Sequence, residues 1–137
     1  MIQIATDKDN VALQEAITDF NIKIVPTLPR AETHKLDLIL KDKNQTLIGG
    51  INAEYVNWGI LFIQLLFIEE PYRGLGYGSQ LLKRVEQLAK AQGCHLAHLD
   101  TFEFQGKEFY LKQGYEIFGI LDDCPKGHKR YYFTKKL

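Results

Sequence analysis

The chain has 137 residues, with 17 lysines and arginines balancing 17 aspartates and glutamates. This length is typical of one domain with a substantial core, and the balanced charge disfavours a general binder of nucleic acid or of membrane surfaces. The sequence shows no signal-peptide pattern and no apolar run of roughly 20 residues, and Cys94 and Cys124 lack metal-ligand spacing. We therefore expect a cytoplasmic protein with free thiols, no metal, and no membrane or nucleic-acid partner.

The first 30 residues predict a strand, a helix and a loop. Residues 2–5 alternate in polarity, which predicts a short strand. Thr6 is a suitable N-cap, and a rough apolar stripe that continues to about Asn21 predicts a helix. Two prolines within residues 22–30 disfavour a long regular helix, so we expect a loop or a short helical turn there.

Three apolar runs follow and predict adjacent strands. They occupy residues 36–40, 46–56 and 60–68, and the last of them is expected to be the central strand. The turns between them are short, which favours antiparallel neighbours. Gly49 and Gly50 within the second run indicate a bulge or a close approach of two backbones.

The second half of the chain predicts alternating helices and strands. Residues 79–92 carry apolar side chains on one face and charged ones on the other, which predicts an amphipathic helix that ends at Gly93. Residues 95–100 predict a strand parallel to residues 60–68, because a helix lies between the two. The remaining expected elements are a short helix at residues 104–113 and strands at residues 115–121 and 131–135.

A glycine-rich loop joins the central strand to the amphipathic helix. It reads RGLGYGS from Arg73 to Ser79. Its three glycines let the backbone approach a ligand closely and direct successive N–H groups toward one place. The helix N-terminus adds a partial positive charge and Arg73 adds a full one. The loop therefore predicts a phosphate site, most naturally one for a pyrophosphate.

Two familiar phosphate loops fit this segment poorly. A P-loop requires Gly-Lys-Ser/Thr at its end, whereas Gly78 is followed by Ser79 and Gln80. Asp100 lies about 20 residues further on, where a dinucleotide-binding domain has its ribose-binding acid. The glycine spacing, however, is Gly-x-Gly-x-Gly, and only 37 residues follow Asp100. A doubly wound domain needs more strand–helix repeats, so this remains a minor alternative.

Three motifs resemble those of one enzyme family. The loop RGLGYG resembles the Arg/Gln-x-x-Gly-x-Gly/Ala loop of the GNAT superfamily of N-acetyltransferases, which holds the pyrophosphate of acetyl-CoA. LLFIEEPYRG is similar to its strand end Leu-x-Val-x-Pro-x-x-Arg-Gly, with Glu70 where proline is common. GKEFYLKQGYEIFG is similar to its Ala-x-x-Phe-Tyr-x-x-x-Gly-Phe segment, with Gly106 for alanine and Tyr115 for phenylalanine. The resemblance covers roughly residues 47–137 well and the first 45 residues weakly.

The resemblance implies an α+β fold and an activity. The expected GNAT fold is a mixed, mostly antiparallel sheet of six to seven strands, with helices on both faces and a splayed central cleft, in a single domain over residues 1–137. The expected activity is direct transfer of the acetyl group of acetyl-CoA to a primary amine, preferably of a small molecule, in a ternary complex. Two alternatives stay open. One is a module that binds acyl-CoA but catalyses weakly, and the other is an acetyltransferase of protein lysines or N-termini.

The resemblance also implies site residues. Backbone groups of Leu66, Phe67 and Ile68 would pair with the pantetheine arm like a missing strand, and one amide would polarise the thioester carbonyl. Tyr110 matches the family's thiolate partner, and a phenol is suited to donate to a leaving sulfur. The alternative is that Tyr110 only packs. The expected cofactor-binding residues are Leu66, Phe67, Ile68, Arg73, Gly74, Leu75, Gly76, Tyr77, Gly78, Ser79, Gln105 and Tyr110.

The sequence does not single out a general base. Related family members carry glutamate where this chain has Gln64, and an amide does not accept a proton at neutral pH. Glu103 occupies the place of a cofactor-contacting asparagine in many members, and we expect Gln105 to take over that contact. The alternatives for the base are Asp100, Glu103, Glu54 and His128.

The acceptor side is the least determined part of the sequence. Trp58 and Tyr55, residues 22–34 and the loop at residues 122–130 are the candidates for an acceptor pocket. Two aspartates at the start of that loop would suit a cationic amine, and Trp58 could stack on it. Equally, the loop is consistent with a solvated turn. Small domains of this kind often form homodimers, and the sequence does not decide between a monomer and a dimer.

Overall fold

The computed structural model of the chain describes residues 1–137 and contains three α-helices and seven strands. None of the helices is both long and apolar enough to span a bilayer. Residues Met1–Glu32 and Thr33–Leu137 form two compact units. The elements in chain order are α1 (Asp7–Ile24), β1 (Thr33–Lys35), β2 (Leu38–Lys41), β3 (Leu47–Val56), β4 (Ile60–Ile68), a 3-10 turn (Glu70–Tyr72), α2 (Tyr77–Ala91), β5 (Leu96–Phe102), α3 (Lys107–Lys112), β6 (Glu116–Asp122) and β7 (Lys129–Lys136).

The first unit contains helix α1, which begins where the sequence predicts. The Thr6 hydroxyl accepts a hydrogen bond from the Asp9 amide at 3.3 Å, and the Asp9 carboxylate accepts one from the Thr6 amide at 2.8 Å. This reciprocal capping box satisfies two amides that would otherwise lack partners at the helix start. The helix extends to Ile24, three residues beyond the predicted end at Asn21. None of its residues is buried.

The predicted strand at residues 2–5 is wrong. Residues 1–6 adopt no regular secondary structure and are exposed. A strand is stabilised by a hydrogen-bonded neighbour, and a four-residue alternation carries no information about whether a neighbour is present. The predicted strand at residues 36–40 is also altered. Only its second half lies in a strand, β2 (Leu38–Lys41), and a separate strand, β1 (Thr33–Lys35), precedes it; both pair with β3.

The second unit is built on a mixed sheet. Its strand order is β1-β3-β4-β5-β7-β6, with β2 also paired to β3. All pairs are antiparallel except β4–β5, which is parallel. The parallel pair confirms the prediction made from the intervening helix α2. The mixed, mostly antiparallel sheet with seven strands and helices confirms the predicted fold class.

Helix α2 covers one face of this sheet. Its apolar residues Leu82, Val85 and Ala89 are buried and belong to the same core cluster as Leu61 on β4 and Phe133 on β7. Complete burial of an aliphatic side chain contributes roughly 1.5–3 kcal/mol, so this face of α2 accounts for much of the core's stability. The apolar face that the sequence pattern predicts therefore positions α2 on the sheet, and with α2 the loop that precedes it.

Gly49 and Gly50 permit close strand packing. A Cβ atom on Gly49 would lie 2.8 Å from the Phe67 carbonyl oxygen, and one on Gly50 would lie 2.9 Å from the Leu38 carbonyl oxygen. Both contacts are shorter than a side chain tolerates, so these positions require glycine. The glycines thus mark a close backbone approach, and the β2–β3 pairing is also irregular beside Gly49, since Leu40 pairs with Gly49 whereas Lys41 pairs with Leu47. The β3–β4 bulge lies elsewhere.

The sheet opens at the middle of β4. On β3, Asn52 pairs with Leu65 and Ala53 pairs with Ile63, so Gln64 is an extra residue that forms a bulge. Such a bulge bends a strand and increases its twist. The β4–β5 ladder ends at the pair Ile63 and Leu99. Beyond that point β4 continues along β3 and β5 continues along β7, which confirms the predicted splayed cleft.

Candidate active site

A cavity of about 690 Å³ lies where β4 and β5 diverge. It is lined by residues 64–68 of β4, by most of the glycine-rich loop, and by the segment from the end of β5 to α3. Most of the predicted cofactor-binding residues line it, whereas Leu75 and Tyr110 do not. Those that do are Leu66, Phe67, Ile68, Arg73, Gly74, Gly76, Tyr77, Gly78, Ser79 and Gln105.

The β4 side of the cavity has no strand neighbour. Because pairing with β5 stops at Ile63, the edge of residues 64–68 that faces away from β3 meets the cavity instead of another strand. Alternate amide and carbonyl groups of a strand point to each side, so part of this backbone is directed into the cavity. An extended ligand arm with amide groups can pair there as a strand would.

The glycine-rich loop leads into an uncapped N-terminus of α2. Gly74 and Gly76 have φ values of 74° and 86°, a left-handed conformation that favours glycine. The first helical hydrogen bond runs from the Gln80 amide to the Gly76 carbonyl at 3.1 Å, and no side chain caps the helix. The amides of Tyr77, Gly78 and Ser79 therefore have no helical acceptor. These N–H groups, together with the helix dipole, suit a phosphate ligand.

Arg73 is anchored beside this site. Its Nε group donates to the Ile68 carbonyl at 2.8 Å, and its guanidinium carbon lies 5.5 Å from the centre of the Phe67 ring. The strand end therefore holds the cation at the edge of the cavity. These contacts tie the predicted basic residue to two of the three β4 residues that were expected to bind the cofactor arm.

Ser79 has a partner that the sequence did not reveal. The Gln113 amide nitrogen donates to the Ser79 hydroxyl oxygen at 2.9 Å and so links the start of α2 to the end of α3. Gly78 packs in the same region, since a Cβ there would lie 3.4 Å from the Phe109 ring. These contacts between residues about 30 positions apart depend on the tertiary fold, and no local pattern indicates them.

Tyr110 lies behind the cavity wall. Its side chain is only 7% exposed, and its ring is 5.8 Å from the ring centres of both Tyr115 and Phe133. It contacts the lining residue Gly106, where a Cβ would lie 3.1 Å from the Tyr110 ring. Burial, aided by the negative charge of Asp100, raises the pKa of Tyr110 to about 12. The phenol is therefore protonated at neutral pH and able to donate a hydrogen bond.

Of the four candidate bases, Asp100 alone lines the cavity. Its Oδ1 atom accepts hydrogen bonds from the Arg130 Nε and Nη2 groups at 2.8 and 2.5 Å. Asp100 is therefore already engaged in an ion pair with Arg130. Glu103 is paired with His128 at 2.7 Å, and Glu54 lies on β3 opposite Phe62.

Gln64 occupies the bulge and lines the cavity. Its amide cannot act as a base, so this lining residue offers hydrogen bonds only. Nearby His98 stacks on Phe62 with ring centres 4.8 Å apart, and burial lowers its pKa. Nowhere do three or more histidine, cysteine, aspartate or glutamate side chains form a group that could hold a metal.

Within the second unit, the predicted acceptor residues Tyr55, Trp58 and 122–130 do not line the cavity, whose lining residues lie between Gln64 and Phe109. Tyr55 stacks on His34 at 4.8 Å and bonds to Gln92 at 3.4 Å. The structure adds lining residues that sequence reasoning missed. A strand's alternation could have indicated Thr101, while the others depend on how the loop and α3 fold back. These additional residues are Tyr72, Thr101, Phe104, Gly106 and Phe109.

Comparison with known proteins identifies the family of this chain. The model of the acetyltransferase (GNAT) family matches residues 8–115. The chain belongs to this family. It is therefore an acetyl-CoA-dependent acetyltransferase, and the motif-based assignment is confirmed.

Individual relatives of this GNAT acetyltransferase agree with that assignment. A blasticidin-S acetyltransferase from Streptomyces morookaense is 34% identical over 92 residues, which cover 66% of this chain and 67% of the relative. A crystal structure of an acetyltransferase from Bacillus cereus ATCC 14579 is 33% identical, with a TM-score of 0.88, and covers 100% of this chain and 97% of that one. An aminoglycoside 6'-N-acetyltransferase complexed with coenzyme A shares the fold, at 18% identity and a TM-score of 0.67 over 99% of this chain and 97% of that one.

Proposed function

We propose that this acetyltransferase binds acetyl-CoA between β4 and β5 and transfers its acetyl group directly to a primary amine of a small molecule. The observation that carries the proposal is the combination of a broken β4–β5 ladder and an uncapped helix N-terminus at one cavity. The first supplies backbone partners for an extended arm, and the second supplies N–H groups for a diphosphate. In this proposal a single domain over residues 1–137 carries the whole site.

Each part of the cleft has a proposed task. The amides of residues 77–79 and Arg73 hold the diphosphate, while Leu66, Phe67 and Ile68 bind the pantetheine arm and polarise the thioester carbonyl. Gln105 adds a further contact to the cofactor. When bound, acetyl-CoA supplies an activated acyl group, and the cleft holds the amine beside it, which by itself accelerates transfer. Tyr110 donates a proton or hydrogen bond toward the leaving sulfur, for which its protonated state is suitable.

A small-molecule acceptor is supported by the relatives. The curated relative described above is named for blasticidin S, and one of the two structural neighbours described above is named for aminoglycosides. Both names refer to antibiotics that carry amino groups. The acceptor must reach the thioester as a neutral amine, and free alkylamines have pKa values of about 10.4, so the protein must remove a proton or favour the neutral form.

The cofactor site can be tested with a variant of the loop. Gly76→Glu puts a side chain and a negative charge at a left-handed residue of the diphosphate site, so we expect coenzyme A binding to weaken by at least roughly 100-fold. Gly93→Glu is a matched control, because Gly93 has a φ of 87°, close to the 86° of Gly76, at the other end of α2. Titration calorimetry with coenzyme A measures both. Equal affinities in the two variants would contradict the proposed site.

The acceptor class can be tested by release of free thiol from acetyl-CoA. The panel comprises blasticidin S, aminoglycosides, polyamines, amino acids and peptides with free lysines or N-termini. We expect turnover with at least one small amine and much less with peptides. A preference for peptides would replace the small-molecule proposal with protein acetylation. Tight coenzyme A binding without turnover on any amine would favour the catalytically weak binding module, which Gln64 makes a specific alternative.

A further inference from the structure

Thr101 is a polar residue in an apolar environment. It lies on β5 with 5% of its surface exposed, and it is the polar side chain among the buried residues of the core. Its neighbours along the strand on that face, Leu99 and Ala97, are apolar members of the core cluster. Burial of a hydroxyl is unfavourable unless the group is hydrogen-bonded, so its partners indicate why a threonine occupies this position.

The Thr101 hydroxyl both accepts and donates. It accepts a hydrogen bond from the Gly106 amide at 3.3 Å, and it donates to the Gln105 Oε1 atom at 3.3 Å. The same Oε1 atom accepts a hydrogen bond from the Phe102 amide at 3.1 Å. A backbone N–H can only donate, so the atom facing Phe102 must be the amide oxygen, and the side-chain amide has one orientation.

This orientation determines what Gln105 presents to the cavity. With its oxygen bound on the protein side, the amide directs its NH2 group away from Thr101 and Phe102. Gln105 is an exposed residue that lines the cavity, so the NH2 group is available there as a donor. The orientation matches an acceptor oxygen on a ligand, such as a carbonyl or phosphate oxygen, and not a donor.

The same hydroxyl fixes the start of α3. Gly106, whose amide it binds, is the residue before the helix, and its carbonyl accepts the first helical hydrogen bond from the Tyr110 amide at 3.0 Å. Thr101 therefore constrains both the side chain that faces the cavity and the turn that precedes Tyr110.

We propose that Thr101 is a positioning residue, whose buried hydroxyl orients the Gln105 amide as a donor to the acetyl-CoA arm. This inference rests on the proposed function, because it assigns a task to a side chain in the same cleft. Thr101 acts through Gln105 and through the turn at Gly106.

Three variants separate the hydroxyl from the shape of the side chain. Thr101→Val keeps the shape but removes both hydrogen bonds, and Thr101→Ser keeps the hydroxyl. Gln105→Leu removes the amide at an exposed position, where a substitution endangers folding less than at the buried Thr101. Loss of one good hydrogen bond corresponds to up to roughly a tenfold change in affinity. We expect Thr101→Val and Gln105→Leu each to raise the dissociation constant of coenzyme A about tenfold, and Thr101→Ser to restore affinity to within about twofold of the wild type.

A ligand-free measurement makes the outcome independent of the proposed function. Hydrogen exchange of the Gly106 amide, followed by NMR, should be at least about tenfold faster in Thr101→Val than in the wild type or Thr101→Ser. If the Gly106 amide exchanges at the wild-type rate in Thr101→Val, the inference is overturned. Wild-type affinity of Thr101→Val for coenzyme A also overturns it. If that variant does not fold, the same result with Gln105→Leu overturns the inference. An equal loss of coenzyme A affinity in Thr101→Val and Thr101→Ser also overturns the inference, because the hydroxyl would then make no difference. If the wild type itself does not bind coenzyme A, the proposed function fails, and the exchange result alone decides the positioning role.

Discussion

At the scale of single residues, Tyr110 combines a catalytic prediction with a buried position. Its ring packs against Tyr115 and Phe133, so the packing alternative considered from the sequence describes part of what it does. The raised pKa adds a chemical property to that packing, since the proton stays on the phenol at every pH at which the enzyme is expected to work. Tyr110 lies one layer behind the cavity lining, and its role in the reaction stays a prediction.

Tyr110→Phe tests that role without removing the packing. We expect kcat to fall at least roughly tenfold while the KM for acetyl-CoA changes little, because a hydrogen bond to the leaving sulfur matters mainly in the transition state. Tyr132→Phe is the control, since Tyr132 is a half-buried tyrosine on β7 that does not line the cavity. Steady-state kinetics measure both variants. If the two variants have the same kcat, Tyr110 is only a packing residue.

The ionisation of Tyr110 gives a second prediction. In a spectrophotometric titration of phenolate absorbance, the difference between the wild type and Tyr110→Phe should show a midpoint near 12. The ordinary pKa of tyrosine is about 10. Because the native pKa is raised, the stabilisation linked to this group is complete below the ordinary value and is lost as the pH rises through the native one. A difference midpoint near 10 would show that Tyr110 is exposed to solvent.

At the scale of elements, one buried ionic group joins α2 to β7. Lys135 Nζ lies 2.8 Å from Glu86 Oε2, and the Tyr115 hydroxyl donates to Glu86 Oε1 at 2.9 Å. The side chains of Lys135 and Glu86 are only 27% and 14% exposed. The same carboxylate, together with burial, raises the pKa of Tyr115, so that phenol remains a donor. The helix that carries the proposed diphosphate site is thus held to the sheet by charge as well as by its apolar face.

Glu86→Ala should therefore destabilise the fold. It leaves the Lys135 ammonium and the Tyr115 hydroxyl without a partner, and loss of one member of a buried pair costs roughly 3–5 kcal/mol, which the partial exposure of Lys135 reduces to about 2–3 kcal/mol. Asp122→Ala is the control, because Asp122 and Lys129 form a pair at 3.1 Å with side chains 75% and 49% exposed. Urea unfolding should show a change below about 1 kcal/mol for that variant. Equal changes in the free energy of unfolding for Glu86→Ala and Asp122→Ala would contradict the argument that burial makes the contacts of Glu86 stabilising.

The N-termini of α1 and α2 differ in whether a side chain of the protein caps them. Helix α1 begins with a complete capping box, whereas α2 begins at a glycine with no side-chain cap. The amides at the start of α1 are used by the protein, and those at the start of α2 remain for a ligand. In both cases the outcome follows from the residue type at the N-cap, threonine at one and glycine at the other.

At the scale of the whole molecule, the cleft results from a sheet that stops pairing partway along its central strands. Because of this opening, some backbone groups of β4 have no strand partner in the native state. A ligand that binds to these groups should stabilise the protein. This stabilisation is expected from mass action. The pantetheine arm and the diphosphate of the ligand would bind to groups that only the folded chain brings together.

Coenzyme A should therefore raise the melting temperature. At a concentration of 100 times its dissociation constant, a ligand that binds only the native state adds about 2.7 kcal/mol, which corresponds to several degrees for a domain of this size. Differential scanning fluorimetry measures this shift, and NAD at the same concentration serves as the control for the dinucleotide alternative. An equal shift with NAD would contradict the selectivity of the site.

Much of this protein is determined locally and is therefore readable from its sequence. Apolar periodicity fixed the type of α2 and of the strands, and the glycines with the neighbouring basic residue indicated a diphosphate loop. Those signals depend on residues within one turn of helix or a few positions of strand, so they are independent of the rest of the chain. The three ordered motifs were sufficient for the family.

Other features were decided only by the tertiary structure. The bulge at Gln64, the ion pair of Asp100 with Arg130 and the hydrogen bonds of Thr101 depend on how strands are registered and how loops return to them. The strand predicted at residues 2–5 did not form because alternation alone provides no pairing partner. The sequence by itself indicated most of the elements that form, and it predicted which ligand chemistry the loop suits. The three-dimensional arrangement decided which side chains reach the cleft and which are already engaged, because those contacts join residues that are distant in the chain.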